Sequence, residues 1–321
     1  LAQILAGRAG LTAAAERIAA ARPRFVLIAA RGTSDHAGLY AKYLAEVLLQ
    51  LPAGLVSPSA LTVYGARPQM RDVLFIAVSQ SGRSPDLVDS LAAARSRGAL
   101  TVAVTNAIDS PLAQAAEIAV DVRAGTERAV AATKSYTAQL LSLYLLIAGV
   151  RAAEAAARLP EAAAATLALT PEAALAAVAA PLQYAERLVL TARGYSYPTA
   201  REAALKLMET SYVSAMAFSG ADLLHGPLAM IDHSVPVIAV TSPGRGGGAM
   251  APVLERLSGV GAHVLRVGSS DGLPLATDGV PEELLPVLEI LPLQRLAWRV
   301  ALDRGFDPDH PRGLSKVTQT L

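Results

Sequence analysis

The chain has no cysteine, which rules out disulfides, thiolate metal sites and cysteine nucleophiles. It also lacks an excess of either charge. Lysine and arginine number 28 against 27 acidic residues, a formal net charge of +1. That balance, with no basic segment or helix-turn-helix pattern, gives no reason to expect nucleic acid or an acidic membrane as partner. No uncharged apolar run reaches the roughly 18 residues of a membrane-spanning helix, and the start does not resemble a signal peptide. A cytoplasmic location is the expectation. The chain begins at Leu1 rather than Met, which points to residues preceding it. Neither GxGxxG nor GxxxxGK[ST] occurs, so neither dinucleotide nor nucleotide loops fit. No carboxylates and histidines share a metal-ligand spacing, so neither metal nor other cofactor is expected.

What is present is apolar. Of 321 residues, 53% are hydrophobic and 17% charged, enough for a sizeable core and for two domains of about 150 residues each. The expected boundaries are 1–150, an alanine-rich helical connection at 151–180, and 181–321. In the first part, short apolar runs alternate with helical patterns. FVLIAA at 25–30, AGLVSPSA from Ala53, the run from Val73 to Val78, ALTVAVT at 99–105 and Ile118–Val122 read as strands. A helical arm at 1–22 and helices at 37–49, 87–97 and 134–150 lie between or around them. The strands are apolar throughout rather than alternating, as expected of a largely parallel sheet covered on both faces.

The stretch from Asp72 to Asp86, DVLFIAVSQSGRSPD, organises the rest. A buried strand stops at Ser79-Gln80-Ser81-Gly82, and Ser84-Pro85 open a helix. Hydroxyls, backbone N–H groups and the positive end of a helix dipole gather there, an arrangement suited to a phosphate. Thr33 and Ser34 end another strand, and ligands collect outside the carboxyl ends of parallel strands. Turn formation and capping also select Ser and Thr, and for Ser84 capping competes evenly with ligand contact.

The second half repeats the first. Arg31-Gly32-Thr33-Ser34 returns as Arg193-Gly194-Tyr195-Ser196, and Ile76-Ala77-Val78-Ser79 as Ile238-Ala239-Val240-Thr241, both at a separation of 162 residues. Gly82 returns as Gly244. One offset for two strand–loop elements implies an internal duplication. Pro243 removes a backbone N–H where the first loop has that of Ser81, so one working phosphate loop, in the front half, is expected.

Three further features could carry chemistry. Glu202, Lys206 and Glu209 share a helix face; an ordinary surface pair would space Glu202 and Lys206 the same way. Apolar neighbours Leu205, Met208 and Tyr212 around Glu209 would suit a general base acting near neutral pH. His225 precedes Gly226-Pro227 in a rigid turn, where a histidine can also serve backbone groups. Lys316 lies in the tail PRGLSKVT and could form a Schiff base with a carbonyl; a solvated terminal lysine is the alternative.

Taken together, ARGTSDHAGLYAKYLAE, AVSQSGRSPDLVDSL, AVAATKSYTAQL, ALKLMETSYVSAMAFSGADLLHGPLAMID and PRGLSKVTQT resemble the tandem sugar isomerase (SIS) domain proteins. The resemblance extends over residues 24–321, to the isomerase half of glucosamine-6-phosphate synthase and to glucosamine-6-phosphate deaminases of the SIS type. It implies two flavodoxin-like α/β domains, each a mostly parallel sheet flanked by helices. It implies that Ser34, Ser79, Ser81 and Ser84, with Gln80, hold a sugar 6-phosphate. Thr133 would border the substrate near its amino group and C2. Glu209 would move a proton between C1 and C2, with Lys206 nearby. His225 would open the ring, donated across a homodimer, and Lys316 would bond the open-chain ketose. The synthase has threonine at Ser84 and glutamate at Arg83, and its tail reads AKSVTVE. SGRSPD and KVT look more like the deaminase group. With no cysteine, this chain is expected to carry no glutaminase domain.

The reaction so implied converts glucosamine 6-phosphate and water to fructose 6-phosphate and ammonia. A deglycase or aldose–ketose isomerase acting on another phosphosugar, an isomerase domain of the synthase type, and a non-catalytic sugar-phosphate sensor are the rivals. A sensor needs the serines but not Glu209, His225 and Lys316 together, which favours an enzyme.

Overall fold

In a computed structural model of the chain, residues 1–149 and 152–316 are described. They form two compact units. The front unit holds Leu1–Arg128, Ala132–Ala157, Ser315 and Lys316; the back unit holds Ala129–Ala131 and Arg158–Leu314. Val150, Arg151, Val317 and Thr318 lie outside the described residues.

The front unit begins with a helical arm, α1 (Ala2–Ala6) and α2 (Ala9–Ala21). Then β1 (Phe25–Ala30), α3 (Thr33–Leu44), β2 (Ala53–Leu55), α4 (Pro58–Thr62) and β3 (Val73–Ser79) follow. After them come α5 (Pro85–Ser96), β4 (Leu100–Thr105), α6 (Pro111–Ala115), β5 (Ile118–Asp121) and α7 (Lys134–Ala148). The strand order is β2-β1-β3-β4-β5 and every pairing is parallel. This is the flavodoxin-like order, which reverses between β1 and β3. Six of the seven residues of β3 are buried, because helices cover the sheet. Phe75 and Ala77 pack with Leu87 and Leu91 of α5 and Leu112 of α6, while α3 and α7 pack against each other.

The back unit repeats the plan after α8 (Ala152–Ala155), which belongs to the front unit, and the alanine-rich α9 (Leu159–Leu169) and α10 (Glu172–Ala179). Its elements are β6 (Arg187–Ala192), α11 (Tyr197–Ser211), β7 (Ser214–Ser219), α12 (Gly220–Leu224), β8 (Val237–Val240), α13 (Arg245–Gly248), α14 (Ala251–Gly259), β9 (Val264–Val267) and α15 (Leu285–Asp303). The order is β7-β6-β8-β9, again parallel. It is the front order without its last edge strand. The bounds of β1 shifted by the repeat offset are those of β6, and Gly32 and Gly194 both take a left-handed φ, 55° and 60°. The duplication read from the sequence is therefore a duplication of topology. Among the described residues no single helix is long and apolar enough to cross a membrane.

Two boundaries move in ways that matter. The helix expected from residue 37 begins at Thr33, because Gly32 at positive φ turns the chain straight out of β1. Thr33 and Ser34 are thus first-turn helical residues rather than loop. Past Leu44 the helix widens into a π-helical turn, Ala45–Leu49. The helix expected from Leu87 starts at Pro85, whose fixed φ and missing N–H suit a first helical position.

Gly82, at the turn after β3, has φ 62°, and a Cβ there would overlap the Ser110 side chain. Gly82→Ala is expected to cost on the order of 2–4 kcal/mol in urea unfolding. A loss under about 0.5 kcal/mol would mean the turn does not depend on that conformation.

Candidate active site

In the front unit, β1 and β3 lie side by side with Ala30 opposite Val78, so the turns that follow them flank one crevice. From β1 comes the first turn of α3. Ser34 is buried, and Gln139 of α7 donates Nε2–H to its Oγ at 3.0 Å. From β3 comes the Ser79–Ser84 turn. Gly82 N–H donates to Ser79 Oγ at 3.1 Å and Arg83 N–H to Ser81 Oγ at 3.3 Å. Each hydroxyl thereby serves as acceptor inside the turn and keeps its own proton to donate. Ser84 is the N-cap residue of α5, yet its side chain makes no capping bond; local capping does not account for that hydroxyl. The turn is fastened to β4, since Gln80 O accepts from Asn106 N–H at 3.2 Å and Thr105 Oγ1 at 3.4 Å. Beside Gln80 opens a cavity of about 830 Å³, walled in part by Asn106, Asp121, Arg123 and Glu127. Thr133 is the N-cap of α7, and the Glu127 carboxylate accepts from the N–H groups of Thr133 and Ser135 at 3.2 and 2.9 Å.

In the back unit, α11 carries Glu202, Lys206 and Glu209 on one face. They are not a surface pair: the Glu202 side chain is fully buried and that of Lys206 is 3% exposed. Lys206 Nζ lies 2.6 Å from Glu209 Oε2 and 3.4 Å from Glu202 Oε1. Burial pushes the ammonium's pKa down, but the two carboxylates outweigh it and hold Lys206 above the ordinary lysine value. Lys206 is a fixed cation at neutral pH, which suits it to stabilising negative charge rather than to acting as a nucleophile. Its stabilising contribution is complete at neutral pH and is lost only as pH rises through that raised pKa. Glu209, expected among apolar side chains, is instead ion-paired and partly exposed.

His225 sits at the C-cap of α12. The turn uses its backbone N–H, which donates to Asp222 O, while the residue itself is exposed. Gly226 follows at φ 140°. Lys316 is half-buried and groups with the front unit.

The back unit's own crevice, between the turns after β6 and β8, differs in charge. Where the front unit gives Ser34 an amide partner, Ser196 donates to Glu289 Oε1 at 2.7 Å and Thr199 donates to Glu289 Oε2 at 2.8 Å. Glu289 of α15 is fully buried, and desolvation drives its pKa up against the pull of the Ser196 hydroxyl. The turn after β8 already holds an anion. Arg245 and Gly246 donate their N–H groups to the two oxygens of the Glu282 carboxylate at 2.9 and 2.7 Å. In sequence this loop differs from the front one by Pro243, which has no N–H. The structure adds an internal carboxylate seated on the loop's N–H groups. Gln139, Glu282 and Glu289 went unremarked in the sequence because each acts from a helix far along the chain.

Among the described residues no group of three His, Cys, Asp or Glu could hold a metal ion. The model of the SIS domain matches residues 20–149 and 182–279. The chain is 37% identical over 303 residues to a glutamine–fructose-6-phosphate aminotransferase [isomerizing] of Methanothermobacter thermautotrophicus, covering 91% of this chain and 51% of that protein. It thus spans about half the length of the curated relatives it matches. A candidate phosphosugar isomerase from Silicibacter pomeroyi superposes with a TM-score of 0.82 at 32% identity, over 96% of this chain and 95% of that one. The C-terminal domain of glucosamine-fructose-6-phosphate aminotransferase from Francisella tularensis gives a TM-score of 0.83 at 28% identity, over 93% and 89%.

Lys206→Met should strand the buried Glu202 carboxylate and cost about 3–5 kcal/mol in equilibrium unfolding; an unchanged midpoint would show that Glu202 is not held by the ammonium. Glu289, with its folded pKa raised, favours the folded state while protonated, and that advantage is lost as pH rises. Wild type should therefore lose stability relative to Glu289→Gln as pH rises above the ordinary glutamate range, measured as the difference in unfolding free energy. Parallel pH profiles for the two proteins would contradict the raised value.

Proposed function

This chain belongs to the SIS domain family, and from that premise we propose that it interconverts a phosphorylated amino sugar and its ketose. The reaction is glucosamine 6-phosphate and water giving fructose 6-phosphate and ammonia. The observation that carries the reading is the buried ammonium of Lys206 between Glu202 and Glu209. Buried charge is costly to keep and clusters at working sites.

The substrate's phosphate is gripped by Ser34, Ser79, Ser81 and Ser84, with Gln80 and Thr33, in the crevice between the turns after β1 and β3. Two helix N-termini, those of α3 and α5, open there. The phosphate contributes remote binding energy. His225, exposed on its turn and supplied by a partner subunit in a homodimer, moves the O5 proton as the ring opens. Glu209 takes the C2 proton and returns one to C1, through an ene-aminol. Lys206 balances the negative charge that develops on the C1 oxygen. Protonation at C1 leaves an imine at C2. Water adds to it, ammonia leaves, and the ketose remains. Lys316 offers an amine that can hold the open-chain ketose as an imine, and Thr133 borders the amino group.

A second reading is favoured by one observation, the match to about half of a longer aminotransferase at 37% identity. In that reading the same site runs toward the amino sugar, with ammonia delivered to fructose 6-phosphate.

Incubation with glucosamine 6-phosphate, and separately with fructose 6-phosphate and ammonia, should change free ammonia and ketose in opposite senses. No change in either direction would sink the proposal. Glu209→Gln should lower kcat by roughly 10²–10⁴-fold and leave sugar-phosphate binding within a few-fold of wild type; full turnover in that variant would remove its assigned role.

A further inference from the structure

An ion pair spans the front crevice. Arg31 follows β1 directly and Asp86 stands in the first turn of α5. Arg31 NH2 lies 2.7 Å from Asp86 Oδ2, with the arginine side chain 44% exposed and the aspartate side chain 2% exposed. Neither Asp86 oxygen has a well-aligned hydrogen bond among the described residues. The N-terminus of α5 favours the carboxylate. Even so, a buried aspartate two residues from Ser84 is a poor neighbour for a phosphate. Like charges a few ångströms apart repel strongly where protein limits the screening.

The arrangement makes sense if the aspartate aims the arginine. A guanidinium carries five N–H donors in a rigid fork. One nitrogen lies against Asp86, and the side chain is still 44% exposed, three residues before Ser34 in the turn out of β1. The side chains assigned to the phosphate in the two turns, hydroxyls and one amide, are all neutral. Arginine adds full charge and a planar match to phosphate oxygens.

We propose that Arg31 is a ligand of the substrate's phosphate, aimed by Asp86, and that this charge selects phosphate monoesters over unphosphorylated sugars. The inference rests on the phosphosugar reading of the same crevice. Arg83 lies in the adjoining turn but is exposed, with no ion pair to a buried carboxylate among the described residues, and it serves as the control.

The test is calorimetric titration of the full chain with inorganic phosphate and with fructose 6-phosphate at two salt concentrations. Wild type should bind both. Arg31→Ala and Arg31→Gln should bind both about 30-fold or more weakly, with a flatter salt dependence, because one charge–charge contact is gone. Asp86→Asn should fall between, about three- to ten-fold weaker, since the guanidinium keeps its charge but loses its anchor. Arg83→Ala should stay within about two-fold. A purely structural role for Arg31 would lower the melting temperature and leave the salt dependence as in wild type. Arg31→Gln keeps length and polarity if Arg31→Ala does not fold. Wild type that binds neither probe overturns the phosphosugar reading and Arg31's role with it. Wild-type binding retained in Arg31→Gln, or equal losses in the Arg31 and Arg83 variants, overturns the role of Arg31 alone.

Discussion

Parallel pairing of the first and third strands is the constraint on which the front unit turns. From Phe25 opposite Val73 to Ala30 opposite Val78, six residues run in register. Both strands therefore end at the same height. The chain leaves them toward opposite sides of the sheet, as the reversal of strand order requires, and the space between the departing turns cannot be filled by either helix. Small residues line it because both turns are tight. Gly32 and Gly82 take positive φ, and Ser79 and Ser81 before Gly82 accept hydrogen bonds within their turn. The crevice is a consequence of topology, and its chemistry is a consequence of which side chains the turns can accommodate.

The duplicated unit shows how little is needed to change that chemistry. Its strands pair in the same way and its glycines take the same sign of φ. Yet Glu289 replaces an amide as partner of the serine after the first strand, and Glu282 sits on the N–H groups of the turn after the third. An external dianion there would meet two carboxylates. In the front unit the serine is matched by neutral Gln139. One fold thus carries one crevice whose serine has a neutral amide partner and one whose turn N–H groups are already taken by a carboxylate.

Burial of charge in α11 is of a different kind. A lysine and a glutamate taken wholly out of water give up several kcal/mol of hydration each, and their attraction returns that only with good geometry. An apolar pair at Glu202 and Lys206 would stabilise the helix more simply. The pair persists beside a third, partly exposed carboxylate, Glu209, which also contacts the lysine. Family membership and this cluster bear on function independently, one through ancestry and the other through energetic cost.

Much was legible in the sequence because it depends on local periodicity and on repetition. Uniform apolar strands implied a covered parallel sheet, a single offset implied two copies, and SQSGRSP marked the turn that follows a buried strand. Glu202 was misleading at that level. Its spacing from Lys206 is the same for an exposed pair and a buried one, and only the packing of α15 against α11 decides between them. The same holds for Ser84, whose capping bond was a matter of rotamer, and for Glu282, Glu289 and Gln139, whose partners lie dozens of residues away. The sequence by itself determined the class of sheet, the duplication and the residue types at each strand end, since these follow from neighbours along the chain. Tertiary structure alone decided which carboxylates are buried, which N–H groups are already occupied and where Arg31 points, since burial and hydrogen bonding are set by contacts between segments that no local pattern records.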